Sequence, residues 1–513
     1  MQIQTFAAIY IGSYEISLKV FEVSSKKMPH EIDHIRSRLD LGREAISVGM
    51  LNYEMVDRVC DILSNFKQIM KGYKVEHYEV YASAAIRDLS NELLVLDQIY
   101  LRTGFRVKVL SNSEHRFISY KSVANKKEFA EMIKSSAAVV DIGGSSIQIT
   151  LFRQGELVTT QHLDLGTMRL RSQFDQAGFS KKVYLDQMKE FINKKLEVLR
   201  SLYFTESVEH IIFMNDYCAE IIKRMDADSK TDMIIKAEKF DKFLEKLQKK
   251  SLEEICRDLH LANATDPLIL PSIALFEGIM DNLGCYEVWV SEANINDGIA
   301  YDYAQRHQLL KSAHDFDRDV LSAARNLSEH YSGHSPHIEA LGTLSGKIFD
   351  TMKKVHGLGA REKLLLEVAV LLHDCGKYIS LANSSISAYN IIMESEIIGL
   401  SHREREIVAL TVLYNANPLD DYEELRDQVD QEAYLVVAKL SAILRVANAL
   451  DQSHKQKFKD IRITLKDKEL VISVDALQDI SLEQTLFENK TSYFESVYSI
   501  KPVLKAKKVY EYS

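Results

Sequence analysis

The segment that most constrains the fold is VVDIGGSSIQI at residues 139–149. An apolar run ends at Asp141, two glycines and two serines follow, and apolar residues then return at alternate positions. Alternation with a period of two is typical of a β-strand, and the glycines mark a tight turn. The sequence therefore predicts a β-hairpin whose turn allows backbone N–H groups to approach a phosphate closely.

A segment near the N-terminus, AAIYIGSYEISL at residues 7–18, repeats this design. Gly12 and Ser13 form its turn, and Tyr10 stands where the other hairpin has Asp141. Two such hairpins predict two related half-domains that close on one phosphate group. Residues 52–71 carry apolar side chains at helical spacing, and strands alternate with helices around both hairpins, which predicts α/β layers.

The pattern changes at about residue 306, where strand signals end and helical periodicity dominates to about residue 455. A helix is predicted to start near residue 337, and Ser401 and Glu404 fit a capping box at the start of another helix. Strand signals return in the last sixty residues, where residues 461–465 and 470–474 predict a hairpin. We therefore expect a duplicated α/β domain, an all-α domain and a small β-containing tail. The predicted boundaries follow: residues 1–130, 131–305, 306–457 and 458–513.

Composition excludes several classes of partner. The net charge of −10 argues against bulk electrostatic binding to nucleic acid. No apolar run reaches the roughly 18 residues that a membrane span needs, so no membrane partner is expected. The five cysteines are scattered, and the N-terminus lacks the pattern of a signal peptide. These features favour a cytoplasmic location.

Four ordered segments together resemble the family of exopolyphosphatases and guanosine pentaphosphate phosphatases. Each motif alone is weak, but the set is specific, and the resemblance continues into the C-terminal helices. The segments are IYIGSY at 9–14, ASAAIRDLSN at 82–91, LSNSEHR at 110–116, and the Asp141 hairpin continued by LDLGTMRL at 163–170.

This resemblance implies an actin-like, ribonuclease-H-type duplicated domain with an active site in the interdomain cleft. It implies Mg²⁺-dependent hydrolysis of the terminal phosphate of polyphosphate or guanosine pentaphosphate, and a homodimer. In this sequence Glu114 would be the general base, Arg87 would bind the phosphate chain, and Asp141 would hold Mg²⁺ or orient water. The turns would bind the terminal phosphate through Gly12, Ser13, Gly143, Gly144, Ser145 and Ser146.

The chemistry suits these residue types without the family. Phosphoryl transfer requires mainly positioning and charge neutralisation. The planar fork of Arg87 fits bidentate phosphate binding, and Glu114 beside a strand end could polarise water. The alternatives are an arginine in a surface ion pair, a glutamate that favours a helix dipole, and glycines in an ordinary turn.

The sequence departs from the family at several positions. Tyr10 replaces an aspartate, Tyr14 an asparagine, Ser145 a glycine and Gln148 a glutamate. Because tyrosine cannot replace a carboxylate as a hard oxygen ligand, catalysis could be weak or absent. A non-catalytic sensor of polyphosphate or guanosine polyphosphates is therefore an alternative. A kinase of the same fold is weaker, since no adenosine loop is recognisable near residues 213–218.

The helical region carries LLHDCGK at residues 371–377, which resembles the signature of the HD superfamily of metal-dependent phosphohydrolases. The resemblance implies that His337, His373 and Asp374 hold a divalent metal. The fourth position carries Asn448 where the superfamily has an aspartate. The alternative interpretation is a His-Asp pair at a helix end that binds no metal.

Overall fold

A computed structural model describes residues 3–174, 181–204, 207–214, 216–225, 233–261, 267–291, 293–476 and 478–508. The chain divides into two compact units, Met1–Asp315 and Phe316–Ser513. Within the described residues, no helix is both long enough and apolar enough to cross a bilayer.

The first unit begins with a mixed sheet whose strands run in the order β3-β2-β1-β4-β5, with β1 antiparallel to β2 and parallel to β4. The predicted hairpin at its centre is confirmed, whereas β3 had no clear sequence signal because its side chains are mostly half-buried or exposed. The elements are β1 (Gln4–Ile11), β2 (Glu15–Val23), β3 (His30–Arg38), α1 (Leu41–Ser47), α2 (Tyr53–Gly72), β4 (His77–Ala82), α3 (Ala84–Arg87), α4 (Glu92–Thr103), β5 (Lys108–Val109), α5 (Asn112–Ala124) and α6 (Lys127–Met132).

The same unit contains a second sheet with the strand order β10-β11-β9-β6-β7-β8. Its central strands are buried along most of their length. The elements are β6 (Ser136–Ile142), β7 (Ile147–Arg153), β8 (Glu156–Leu163), α7 (Thr167–Phe174), α8 (Lys181–Tyr203), β9 (His210–Met214), α9 (Asp216–Met225), β10 (Met233–Lys236), α10 (Ala237–Gln248), α11 (Leu252–Asp258), α12 (Ile269–Leu283), β11 (Glu287–Val290) and α13 (Ile295–Arg306).

The two glycine hairpins have the same backbone register. In the first sheet Tyr10 is paired with Ser17 across the β1–β2 ladder, and in the second sheet Asp141 is paired with Gln148 across β6–β7. Tyr10 and Asp141 therefore occupy equivalent positions, one residue before the end of the first strand of each hairpin.

The turns of the hairpins are also equivalent. The amide of Gly12 donates to the carbonyl of Glu15 at 2.9 Å, and the amide of Gly143 donates to the carbonyl of Ser146 at 3.0 Å. A Cβ atom on Gly12 would lie 2.9 Å from the Glu15 carbonyl oxygen, so the turn requires a residue without a side chain there.

Helix α13 packs on the first sheet, although the expected boundary at residue 305 groups it with the second half-domain. Its residues Ile299, Ala300 and Tyr303 share a buried cluster with Phe6 and Phe21 of the central hairpin. The chain thus returns to the first sheet after completing the second. The first turn of α13 lies beside the first hairpin, since Asn296 donates to the carbonyl of Ala8 at 2.8 Å.

The second unit is helical at first and ends in a small sheet. The helix start predicted near residue 337 is confirmed, as is the capping box in which Ser401 and Glu404 exchange hydrogen bonds. Its elements are α14 (Phe316–His330), α15 (Ser335–His356), α16 (Ala360–Leu372), α17 (Ser384–Glu394), α18 (His402–Ala416), α19 (Tyr422–Leu425), α20 (Gln431–Ala449), β12 (Phe458–Lys466), β13 (Glu469–Ala476), α21 (Ser481–Tyr498) and β14 (Lys501–Lys508), with a 3-10 turn at Cys375–Tyr378.

The C-terminal tail confirms the predicted hairpin β12–β13 and adds helix α21, which was not predicted. Because β13 and β14 are parallel, the chain needs a crossover between them, and α21 provides it. The buried side chains Phe487, Phe494 and Tyr498 recur at helical spacings, so the signal was present in the sequence.

Candidate functional site

A cavity of about 690 Å³ lies in the first unit, where the two hairpin turns come together. Residues 12–15 of the first turn and 143–146 of the second both line it. Ser13 and Gly144 are close neighbours, since a Cβ atom on Gly144 would lie 3.3 Å from the Cβ of Ser13. The structure therefore brings together the two turns that the sequence predicted to close on one group.

The charged side chains that line the cavity are mostly cationic. Four arginines and two carboxylates are found among its described lining residues, although the whole chain has a net charge of −10. This local excess of positive charge favours an anionic ligand. The six residues are Arg36, Arg38, Arg87, Arg116, Glu15 and Asp141.

The turn of the second hairpin is fixed from behind by helix α7. The carbonyls of the turn accept hydrogen bonds from the first amides of α7. The amide of Thr167 donates to the carbonyl of Gly143 at 3.1 Å, and the amide of Met168 donates to the carbonyl of Gly144 at 2.8 Å. The amides of Gly144 and Ser145 donate to no group within the described residues. They are therefore available to a bound anion, as the sequence analysis expected.

Asp141 is neutralised by a buried arginine. Arg116 places Nη1 2.9 Å from Oδ2 of Asp141, an ion pair without hydrogen-bond alignment, and the two side chains are only 5% and 14% exposed. Nη1 also donates to the Asp141 carbonyl at 3.0 Å, and Nη2 donates to Oγ of Ser146 at 2.8 Å. Arg116 therefore fixes the turn and holds the Ser146 hydroxyl oxygen, which leaves the O–H of Ser146 to donate to a phosphate.

The cavity does not fit the predicted Mg²⁺ well. Mg²⁺ prefers oxygen ligands and usually keeps one or two protein carboxylates. Of the carboxylates that line the described cavity, Asp141 is paired with Arg116, and Glu15 with Arg36 at 2.8 Å. Magnesium therefore stays a prediction, to be tested by the dependence of any activity on the added ion.

Arg87 lines the cavity as predicted. Its Nε pairs with Asp88 at 2.9 Å, and its Nη1 donates to the carbonyl of Leu110 and to Oδ1 of Asn112 at 3.2 and 3.1 Å. Nη2 makes no hydrogen bond with the described part of the chain. The guanidinium is thus held in place with one nitrogen left for a ligand.

Glu114 is not among the described residues that line the cavity. Its Oε2 accepts hydrogen bonds from the amide and hydroxyl of Ser111 at 3.0 and 2.9 Å, and its Oε1 pairs with Lys108 at 3.1 Å. This arrangement is a capping box at the start of α5. The position of Glu114 therefore does not support its predicted role as the general base.

The neighbouring His115 does line the cavity and was missed by the sequence analysis. The centroid of its ring lies 5.5 Å from that of Tyr10, and the ring nitrogens make no hydrogen bond to any described residue. Burial lowers the pKa of His115 to about 4, against the opposing effect of the Asp141 carboxylate. A neutral imidazole that can accept a proton therefore faces the cavity at neutral pH.

Tyr10 closes the other side of the site. Burial raises the pKa of its phenol well above the usual value, so the hydroxyl stays protonated and uncharged. At the position equivalent to Asp141, the first hairpin therefore contributes a neutral hydrogen-bonding group in place of a negative charge.

In the second unit, His337 and Asp374 approach each other as predicted. Together with His454 they form a group whose ligand atoms all lie within 4.8 Å of one another. His337 Nδ1 lies 2.8 Å from Oδ2 of Asp451. The sequence analysis missed both His454 and Asp451, which follow the position where it expected an aspartate.

His373 is adjacent but lies outside this group. Its Nδ1 bonds the Val370 carbonyl at 2.7 Å, and its Nε2 lies 3.3 Å from Oδ1 of Asp374. The predicted ligand set is therefore only partly brought together in this structure.

The Ppx/GppA phosphatase family model matches residues 19–307, and the model of Ppx/GppA phosphatase domain III matches residues 321–491. The first match alone covers more than half of the chain. The fold and the paired hairpins define a protein of the actin-like class, as predicted. The chain belongs to the Ppx/GppA phosphatase family.

The individual relatives are distant. A bifunctional 3-dehydroquinate synthase/phosphatase of Fusobacterium nucleatum is 22% identical over 277 residues, which are 53% of this chain but 38% of that protein. A putative exopolyphosphatase of Haemophilus influenzae is 18% identical over 60% of this chain and 94% of its own length.

The structure of an exopolyphosphatase from Cytophaga hutchinsonii aligns with a TM-score of 0.53 at 18% identity. The alignment covers 60% of this chain and 100% of that one. At this identity the likeness supports the fold alone. The HD-type interpretation of the helical region stays a prediction.

Proposed function

We propose that this chain is an exopolyphosphatase-like phosphohydrolase that removes the terminal phosphate of polyphosphate or guanosine pentaphosphate in the first-unit cavity. One observation carries the proposal: two equivalent glycine turns meet at a cavity with an excess of arginines. Family membership supports the reaction class, since the family model describes phosphatases.

The turns and Arg87 would position the substrate. The free amides of Gly144 and Ser145 would bind oxygens of the terminal phosphate, and Arg87 would bind the next phosphate through its remaining nitrogen. Because the transition state of phosphoryl transfer spreads charge over oxygen atoms, fixed donors of this kind supply much of the catalysis.

His115, in place of Glu114, would accept the proton of the attacking water. The water oxygen forms a bond to the terminal phosphorus, and the bridging P–O bond breaks. Its electron pair stays on the oxygen of the shortened chain, while the water proton passes to the neutral ring of His115. The products are inorganic phosphate and a chain one unit shorter.

A second candidate function is a non-catalytic sensor of the same anions. The Arg116–Asp141 pair favours it, because this pair removes the remaining hairpin carboxylate from metal binding. The binding groups are the same in both proposals, and only turnover separates them.

The test is phosphate release from polyphosphate and from guanosine pentaphosphate, with and without Mg²⁺, by wild type and by Arg87→Met. Loss of a charged hydrogen-bonding group should lower kcat/KM by roughly 10- to 100-fold. Arg43→Met is the matched control, because Arg43 is exposed and does not line the cavity.

Arg43→Met should release phosphate at the wild-type rate. Equal rates for Arg87→Met and wild type would place substrate binding elsewhere. No release by the wild type, combined with polyphosphate binding that Arg87→Met weakens, would establish the sensor and reject the hydrolase.

A further inference from the structure

We propose that the second unit binds one divalent transition-metal ion through His337, Asp374 and His454. This site is separate from the cavity of the first unit and does not depend on the function proposed for it. Its ligands come from three segments: the start of α15, the turn after α16 and the segment after α20.

The first argument is proximity. The candidate ligand atoms lie within 4.8 Å of one another. The rings of His337 and His454 are stacked in parallel with centroids 3.7 Å apart, so the His454 ring must turn before both rings can direct a nitrogen at one ion. Donor atoms around a tetrahedral ion at 2.0–2.1 Å are separated by about 3.3 Å. Side-chain rotations would close the group, and Asp374 and His454 are only partly buried, which leaves them room to turn.

The second argument is an unpartnered nitrogen. His337 is fully buried, and its Nε2 has no hydrogen-bond partner among the described residues. Leaving a buried nitrogen without a partner destabilises the fold, so the site favours a ligand there.

The tautomer of His337 is suitable for metal binding. Asp451 can only accept at Nδ1, so the Nδ1–H donates to Oδ2 and the neutral ring carries its lone pair on Nε2. Asp451 is itself fixed by the amide and side chain of Gln456 at 2.8 and 2.9 Å. A carboxylate that orients a histidine in this way is the usual outer shell of a metal site.

The third argument concerns acceptors that face each other. His373 Nδ1 donates to the Val370 carbonyl, which leaves the lone pair of the neutral ring on Nε2. That buried nitrogen has no hydrogen-bond partner and lies 3.3 Å from Oδ1 of Asp374. A cation bound at Asp374 would relieve the repulsion between these acceptors. Lys377 neutralises the other oxygen, Oδ2, at 2.7 Å.

The donor set indicates the class of metal. Two imidazoles and one carboxylate suit Zn²⁺ and other first-row ions, whereas Mg²⁺ and Ca²⁺ prefer oxygen ligands alone. Bound metal would connect three segments of one unit and stabilise the folded state by an amount that grows with the logarithm of the free metal concentration above Kd.

The test is calorimetric titration of the full chain with Zn²⁺, after removal of any histidine tag and dialysis against a chelator. We expect one ion per chain, and at least a tenfold weaker affinity in both His454→Gln and Asp374→Asn. Cobalt(II) should give visible absorption bands that both variants lose. His402→Gln is the matched control, since His402 is an exposed histidine outside the group.

Asp451→Asn tests the positioning role and should weaken Zn²⁺ binding by roughly 10- to 100-fold without changing the number of ions bound. Circular dichroism checks that each variant is folded, and His454→Gln is the least disruptive because His454 is partly exposed. No binding by the wild type, or wild-type affinity in His454→Gln, would overturn the proposal.

Discussion

The two glycine hairpins have the same backbone geometry, but different side chains occupy their equivalent positions. Each has an antiparallel ladder of the same register and a turn closed by the same hydrogen bond. Yet the first presents the neutral Tyr10, and the second presents Asp141 paired with Arg116. The backbone of the proposed phosphate-binding site thus occurs twice, while neither hairpin presents a free carboxylate at this position.

This difference separates two tasks of such a site. Amides and arginines bind an anion, and carboxylates hold a metal ion and handle protons. The described cavity keeps the first set and neutralises the second. We therefore expect binding of anions to be robust and catalysis to depend on whichever group can still accept a proton.

The largest expected effect on stability concerns Asp141→Asn. This change leaves Arg116 buried without its counter-charge, which should lower the free energy of unfolding by about 3 kcal/mol. Urea unfolding followed by the fluorescence of Trp289, the single tryptophan, reports on the first unit.

The control for this prediction is Glu15→Gln in the first hairpin. Glu15 pairs with Arg36, whose side chain is 36% exposed, so the loss should be only about 0–1 kcal/mol. Equal losses in the two variants would show that the two hairpins do not differ in this way.

An intermediate effect is expected from Gly166→Ala, which acts on the second turn. A Cβ atom on Gly166 would lie 2.2 Å from the Gly144 carbonyl oxygen, a backbone atom that cannot move freely. The free energy of unfolding should fall by about 1–3 kcal/mol, and polyphosphate should bind more weakly because the turn shifts.

Gly42→Ala is its counterpart in helix α1, where the Gly42 amide donates to the carbonyl of Ser13 in the first turn. There the nearest atom is the flexible sulfur of Met168 at 2.7 Å, which can rotate away. We expect a smaller loss than for Gly166→Ala. A larger loss of stability in Gly42→Ala than in Gly166→Ala would contradict the view that the second turn is the more rigid of the two.

A further effect appears only on acidification. Because burial lowers the pKa of His115 from 6.5 to about 4, the unfolded chain binds an extra proton between these pH values. Stability should therefore fall as the pH drops from 6.5 toward 4, and this group contributes at most about 1.4 kcal/mol per pH unit. Urea unfolding at several pH values should show a shallower slope for His115→Gln; an identical slope would contradict the burial of this ring.

Local patterns in the sequence predicted many of the individual elements, and the family resemblance implied their actin-like arrangement. The alternation around both glycine turns predicted the hairpins, and apolar residues at helical spacing predicted α2. Strand β3 was not predicted, because at the exposed edge of the sheet its apolar and polar residues do not alternate clearly. Helix α21 carried a helical pattern that the neighbouring strand signals obscured.

The site was harder to predict because it depends on side-chain direction. Ser111 and Glu114 have the spacing of a capping box, the same signal that correctly identified Ser401 and Glu404. The capping-box spacing of Ser111 and Glu114 would have assigned Glu114 to the start of the helix and left His115 as the candidate base. The Arg116–Asp141 pair joins residues 25 apart in the chain, and no local sequence pattern predicts such a contact.

The most direct test of the account compares phosphate release from polyphosphate by wild type, His115→Gln and Glu114→Gln. Loss of a general base should lower kcat by roughly 10²- to 10⁴-fold in His115→Gln. Glu114→Gln should keep the wild-type rate and lose about 1 kcal/mol of stability through the weakened cap. An inactive Glu114→Gln beside an active His115→Gln would contradict the account.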